Sequence, residues 1–202
     1  MKQKIGTSVT RVVRFTASAL ALMHMSAWGQ SGTAQQEAEA PREAQEQRDV
    51  PDTPGTGPYP AIKEEVASLP LHVVYRPADL SKLGNKKLGV LAWGNGGCSD
   101  DGASSRLHLL EIASHGYLAI ANGTIKSGPG TQPSPPPPPR ADGQLPPPAT
   151  SSKQLIEAID WALAENSRKG SDLYGRIDPK AIAIAGYSCG GLQALQVADD
   201  KR

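Results

Sequence analysis

The strongest chemical signal in the chain is a serine set between glycines, Gly186-Tyr187-Ser188-Cys189-Gly190. An apolar run from Ala181 to Ala185 leads into it, and a helical pattern from Leu192 to Val197 follows. A strained strand-to-helix turn of this kind exposes its serine to a carbonyl group, and Gly186 and Gly190 remove the Cβ clashes that the turn would otherwise create. The helix aims its N-terminus at the site, so the backbone N–H of Cys189 is placed to stabilise the oxyanion that forms when Ser188 attacks. A second donor is expected from the loop Trp93-Gly94-Asn95-Gly96-Gly97-Cys98, where glycines let backbone amides approach a substrate oxygen closely. Asn95 or Gly96 is the candidate within that loop.

These residues need a frame, and the hydrophobic pattern supplies one. Leu71 to Tyr75, Leu88 to Trp93, Tyr117 to Ala121 and Ala181 to Ala185 read as strands. Between them, Ser104 to Ser114 carries Leu109, Ile112 and Ala113 at helical spacing, with Gly116 placed to end the helix. Ser151 or Ser152 caps a second helix running to Asn166, with Leu155, Ile159, Ala162 and Leu163 on one face. Alternation of this kind predicts an α/β fold: a mostly parallel sheet with helices on both faces, joined by right-handed crossovers. With a single Phe, the core falls to Ile, Leu, Val and Ala, which suits buried parallel strands.

Three segments carry a resemblance to a known family. They are the Gly94-Asn95-Gly96-Gly97-Cys98 loop, the strand after His115-Gly116, and the run from Ile177 through Ser188 to Gly191. In this order, over roughly residues 57 to 200, the chain resembles secreted α/β-hydrolases close to dienelactone-hydrolase-like and cutinase-like serine esterases. The resemblance implies hydrolysis of a small-molecule or polymeric carboxylic ester through an acyl-serine, with a histidine taking the Ser188 proton and an acid orienting it. It also implies that acid and histidine follow the serine on later strands. Only 11 residues follow Gly191, and all four histidines, His24, His72, His108 and His115, precede Ser188. Each has a simple structural reading, His115 as a helix C-terminal residue. The expectation is therefore a partial α/β-hydrolase fold, truncated before its triad is complete, with the apolar Ala181–Ala185 strand exposed as an edge prone to self-association. The alternative is a catalytically inactive remnant or an interaction module, including a half-domain completed by another chain.

The remaining features bound the setting. Lys2, Lys4, Arg11 and Arg14 precede an apolar stretch from Phe15 to Trp28, which predicts a signal peptide over residues 1–29 and an exported, periplasmic or secreted, protein. Polar interruptions at Thr16, Ser18, His24 and Ser26 argue against a stable membrane anchor. Residues 30–57, rich in Gln, Glu, Ala and Pro, predict a disordered linker before the hydrolase domain at 58–202. A proline-rich insertion at 132–150 can be neither helix nor internal strand. The formal net charge of +1 and the lack of basic runs interleaved with aromatics point away from nucleic acid. No metal-ligand spacing or dinucleotide fingerprint occurs, so neither metal nor cofactor is expected. Cys98 and Cys189 flank the two halves of the expected oxyanion hole, and are either a disulfide suited to an oxidising compartment or two buried thiols.

Overall fold

The computed structural model describes residues 50–132 and 147–202. The expected signal peptide, most of the expected linker and residues 133–146 of the proline-rich insertion lie outside them. The elements in chain order are β1 (Ala61–Glu64), β2 (His72–Pro77), a 3-10 turn (Leu80–Leu83), β3 (Leu88–Gly94) and a second 3-10 turn (Gly96–Cys98). Then come α1 (Arg106–Ser114), β4 (Tyr117–Asn122), α2 (Ser152–Ser167), β5 (Ile177–Gly186) and α3 (Cys189–Gln196).

The sheet order is β1-β2-β4-β3-β5. Pairing is parallel between β3 and β4 and between β3 and β5, but antiparallel between β1 and β2 and between β2 and β4. The sheet is thus mixed, and its parallel half is the half that carries the candidate site. Strand β1, absent from the sequence reading, is too short and too polar in Ala-Ile-Lys-Glu to announce itself by periodicity.

Side chains of successive strand residues alternate between two cores, as the pleat requires. Val90 and Ala92 of β3, with Leu118 and Ile120 of β4, face the Leu155, Ala158, Ile159 and Ala162 stripe of α2. Leu91 of β3, with Ala119 and Ala121 of β4, faces Leu109, Leu110 and Ala113 of α1. Helices therefore cover both faces. Each fully buried Leu or Ile contributes roughly 1.5–3 kcal/mol, so the α2 stripe alone outweighs any surface ion pair here. Ser151 caps α2, its backbone N–H donating to Gln154 Oε1 at 2.9 Å. Gly116, at φ 90°, ends α1 in a conformation that L side chains resist.

Strand β5 bends around a proline. Leu88 pairs with Ile177 but Val90 pairs with Ile182, so five residues of β5 advance against two of β3. Pro179, which has no N–H for the ladder, lies in that bulge. Beyond it Ile182 to Gly186 run in register with β3 from Val90 to Gly94.

The expected linker ends earlier than residue 57. Residues 50–57 are strapped to α1: Thr56 donates to Glu111 from both N and Oγ1 (2.8 and 2.6 Å), and Gly57 N donates to Ser114 Oγ at 2.9 Å. Arg106 reaches Asp52 Oδ1 at 2.9 Å and the Val50 carbonyl at 2.7 Å. These bonds depend on contacts some 55 residues away in sequence, which composition cannot register.

Candidate active site

The sheet's connections leave β3 and β5 in opposite directions. After β3 the chain passes to α1 on one face; after β5 it enters α3, whose Ala194 and Val197 pack on the other. The region outside the carboxyl ends of two such strands is where open α/β sheets bind ligands. Here the 95–98 loop and the turn at Ser188 follow those two strand ends.

Ser188 is exposed and sits at φ 50°, ψ −117°, on the side of the map that L residues avoid. Such a residue carries about 1–3 kcal/mol of backbone strain and persists only where its surroundings dictate it. Here the dictating contacts are glycine on glycine. A Cβ on Gly190 would lie 2.1 Å from the backbone C and O of Gly94, and one on Gly186 would lie 2.5 Å from the backbone of Gly190. The first turn of α3 therefore rests directly on the ends of β3 and β5. Tyr187 N donates to the Gly94 carbonyl at 3.1 Å, and Gly190 N to the Tyr187 carbonyl at 2.9 Å, which closes the turn.

Two sets of amides border the serine. Cys189 is the first residue of α3, so its N–H has no acceptor within the helix and lies at the positive end of the helix dipole. After β3, Gly96–Cys98 forms a tight turn with Gly97 at φ 62° and Cys98 at φ 48°. Gly96 lies beneath the Tyr187 ring, whose Cδ1 would meet an added Cβ at 2.8 Å. Asn95 is fully buried, and its side chain is occupied in the fold: Nδ2 donates to the carbonyls of Ser99 (3.0 Å) and Asn122 (2.6 Å). The Asn95 side chain thus anchors the loop, and the backbone amides of Asn95 and Gly96 both remain candidates.

Cys98 and Cys189 form a disulfide with a Cα–Cα separation of 5.2 Å, joining the two amide sets directly. It closes a span of 91 residues. In the chain-entropy model a loop of that order stabilises the fold by ~4–5 kcal/mol.

A buried polar frame, which the sequence reading missed, surrounds this bridge. The Cys98 carbonyl accepts from Ala149 N and Thr150 N, both at 3.0 Å, and from Thr150 Oγ1 at 3.1 Å. Gln193 Nε2 donates to the Thr150 carbonyl at 2.7 Å. The detectable signal was Gln193 itself, a polar residue on the inward face of α3, one turn after Cys189. Tyr75 donates to the Gly102 carbonyl at 2.7 Å, and burial, reinforced by Asp101, pushes its phenol well above the usual range, so it stays neutral.

None of the described histidines hydrogen-bonds to Ser188. His72 is buried with its ring nitrogens 3.1 and 3.0 Å from the carbonyls of Pro70 and Gln154. The His108 ring lies 5.2 Å from that of Trp93. His115, the C-cap of α1, pairs with Glu111 Oε1 at 2.9 Å; His24 lies outside the described residues. Past α3, Asp200 is engaged by Arg202, whose guanidinium draws its carboxyl down to about 2. Among the described residues no group of His, Cys, Asp and Glu is arranged to hold a metal ion, and no helix is long and apolar enough to cross a membrane.

The outer side of β5 contrasts with its inner side. Among the described residues β5 pairs with β3 alone, and Ala181 and Ala183 are exposed. An apolar groove of about 640 Å³ runs along one face of this edge, lined by Leu91, Ile112, Tyr117, Ala181 and Ala183 among others. On the other face Ile159, Ile182, Ile184, Ala194 and Val197 line a second groove.

Residues 141–202 match a family model described as PET hydrolase-like (PETase). That match spans α2, β5, the Ser188 turn and α3, and it supports an esterase family of the α/β-hydrolase type. It does not extend to the 95–98 loop. No curated protein matches the chain.

Proposed function

We propose that the protein is an exported serine hydrolase that cleaves carboxylic esters, small or polymeric, through an acyl-Ser188 intermediate. The observation that carries this reading is Ser188 itself: a non-glycine residue at φ 50°, on a glycine-packed strand-to-helix turn, with the Cys189 amide at the head of the next helix. In the first step Ser188 Oγ bonds to the ester carbonyl carbon, the carbonyl oxygen becomes an oxyanion facing the Cys189 and Gly96 amides, and the alkoxide leaves with the serine proton. Water then attacks the acyl carbon, releases the acid and returns the proton to Oγ. The similarity to PET hydrolases favours an ester with an extended or aromatic acyl part, and the exposed Tyr187 ring beside Ser188 suits one. Export is supported by the leader-like N-terminus and by a disulfide of the kind that persists in oxidising compartments.

None of the described histidines hydrogen-bonds to Ser188. A serine without a base keeps its proton at neutral pH and acylates slowly. Incubation with p-nitrophenyl acetate followed by mass spectrometry should therefore give slow, single-site acylation at Ser188 and none in Ser188→Ala. Equal acylation of the two proteins would reject Ser188 as the nucleophile. A second reading, an inactive interaction module of hydrolase origin, draws on the apolar edge of β5. It requires partner binding that survives Ser188→Ala.

A further inference from the structure

Cys98 is gripped twice, and the second grip has no counterpart in the sequence motifs. The disulfide holds its sulfur, while three donors from Ala149 and Thr150 converge on its carbonyl. A carbonyl oxygen has two lone pairs, so this one is saturated. Thr150 and Gln193 are 4% and 5% exposed, so these bonds are shielded from competing water. The connections close into a ring: Cys98 to Thr150 by hydrogen bonds, Thr150 to Gln193 by another, Gln193 to Cys189 along one turn of α3, and Cys189 to Cys98 through sulfur. Both candidate oxyanion donors belong to this ring or border it.

Peptide planarity carries the grip from Cys98 to the donors. Cys98 N donates to the Asn95 carbonyl at 3.2 Å, and Ser99 N donates to the Gly96 carbonyl at 3.2 Å. Because C=O and N–H of one trans peptide point in opposite directions, fixing the Asn95 carbonyl aims the Gly96 N–H, and fixing the Gly96 carbonyl aims the Gly97 N–H. The plane that supplies the Ser99 N–H is the one whose carbonyl Thr150 holds. We propose that Thr150 and Gln193 are positioning residues for the oxyanion hole: they set the orientation of Cys98, and through it the direction of the Gly96 and Gly97 amides relative to that of Cys189. The disulfide fixes how far apart the two halves lie; the Thr150–Gln193 pair fixes how they face. This rests on the reading of Ser188 as nucleophile.

The test compares acylation of Ser188 by p-nitrophenyl acetate and by its thionoacetate analogue, followed by mass spectrometry of the Ser188 peptide. Sulfur accepts hydrogen bonds poorly, so the ratio of the two rates reports the alignment of oxyanion donors and not the general integrity of the fold. Losing a donor outright costs on the order of 10²–10³ in rate, so misaligning one should cost about tenfold. In Thr150→Val the ester rate should fall about tenfold while the thionoester rate holds, and Thr150→Ser should restore the ratio. Gln193→Met should shift the ratio in the same direction while leaving the donors to the Cys98 carbonyl in place, which keeps the proposal open to refutation should Thr150→Val not fold. An unchanged ratio in folded Thr150→Val, or in Gln193→Met where only that variant folds, would overturn the positioning role and leave Ser188 standing. Absence of Ser188 acylation in the unsubstituted chain would overturn the nucleophile, and the positioning roles with it.

Discussion

The two sides of β5 are built on opposite principles. Toward β3, glycine backbones touch, a disulfide ties the loops together, and buried polar groups such as Thr150 and Gln193 find partners. Away from β3, alanines and isoleucines flank a backbone edge that is unpaired among the described residues, with an apolar groove on one face and, on the other, a groove that Asp200 and Arg202 also line. The difference separates two parts of the proposed chemistry: the turn at Ser188 and the 95–98 loop are built locally by the tight side, whereas none of the described histidines hydrogen-bonds to Ser188.

Substitution at the tight side should give the largest effect. Gly190→Ala places a methyl group 2.1 Å from the Gly94 backbone, which cannot move without breaking the β3–β5 register. We expect a loss of about 3 kcal/mol, at the top of the range for overpacking, measured by urea denaturation. A loss below about 0.5 kcal/mol would mean that the turn is looser than its backbone contacts imply.

The open side should respond in association, with little change in stability. Ala183→Lys puts a charge on the exposed edge, a device by which natural sheets block edge-to-edge pairing. Sedimentation should show the unsubstituted protein associating with rising concentration and the variant staying monomeric, with unfolding midpoints that differ little. A monomeric unsubstituted protein would show that the edge is not adhesive.

The smallest effect lies away from both sides, at the strap on α1. Hydrogen bonds from Thr56, with a further one from His115, hold the Glu111 carboxyl down at about 2, below its ordinary 4.5. A carboxyl depressed in the folded state stabilises above its unfolded pKa, and that stabilisation is lost as pH falls from about 4.5 toward 2. Glu111→Gln should therefore melt slightly lower than the parent at neutral pH, and the gap should close on acidification. A gap that stays constant to pH 2 would remove the carboxylate from the account.

Continuous apolar runs made β3, β4 and the inner part of β5 readable, and a one-sided stripe made α2 readable: β3 and β4 are buried on both faces and α2 on one. Ser151 and Gly116 marked helix ends for local reasons, a cap and a left-handed stop. The antiparallel β1, the strap at 50–57 and the frame of Asn122, Thr150 and Gln193 were not readable. Their partners lie tens of residues away, and nothing in a window around Thr150, just past a run of prolines, announces a bond to Cys98.

By itself the sequence determined the candidate, Ser188, and the class of turn expected to present it, a glycine-flanked serine between an apolar strand and a helix. It also determined the alternating elements that bring the 95–98 loop near that turn. Only the tertiary structure decided that Cys98 and Cys189 bond, that Asn95 is spent on anchoring its loop, and that the outer edge of β5 is unpaired among the described residues. The physical reason is range. Strand and helix patterns are written in neighbours a few residues apart, whereas cross-links, buried hydrogen bonds and sheet edges depend on which distant segments the fold sets side by side.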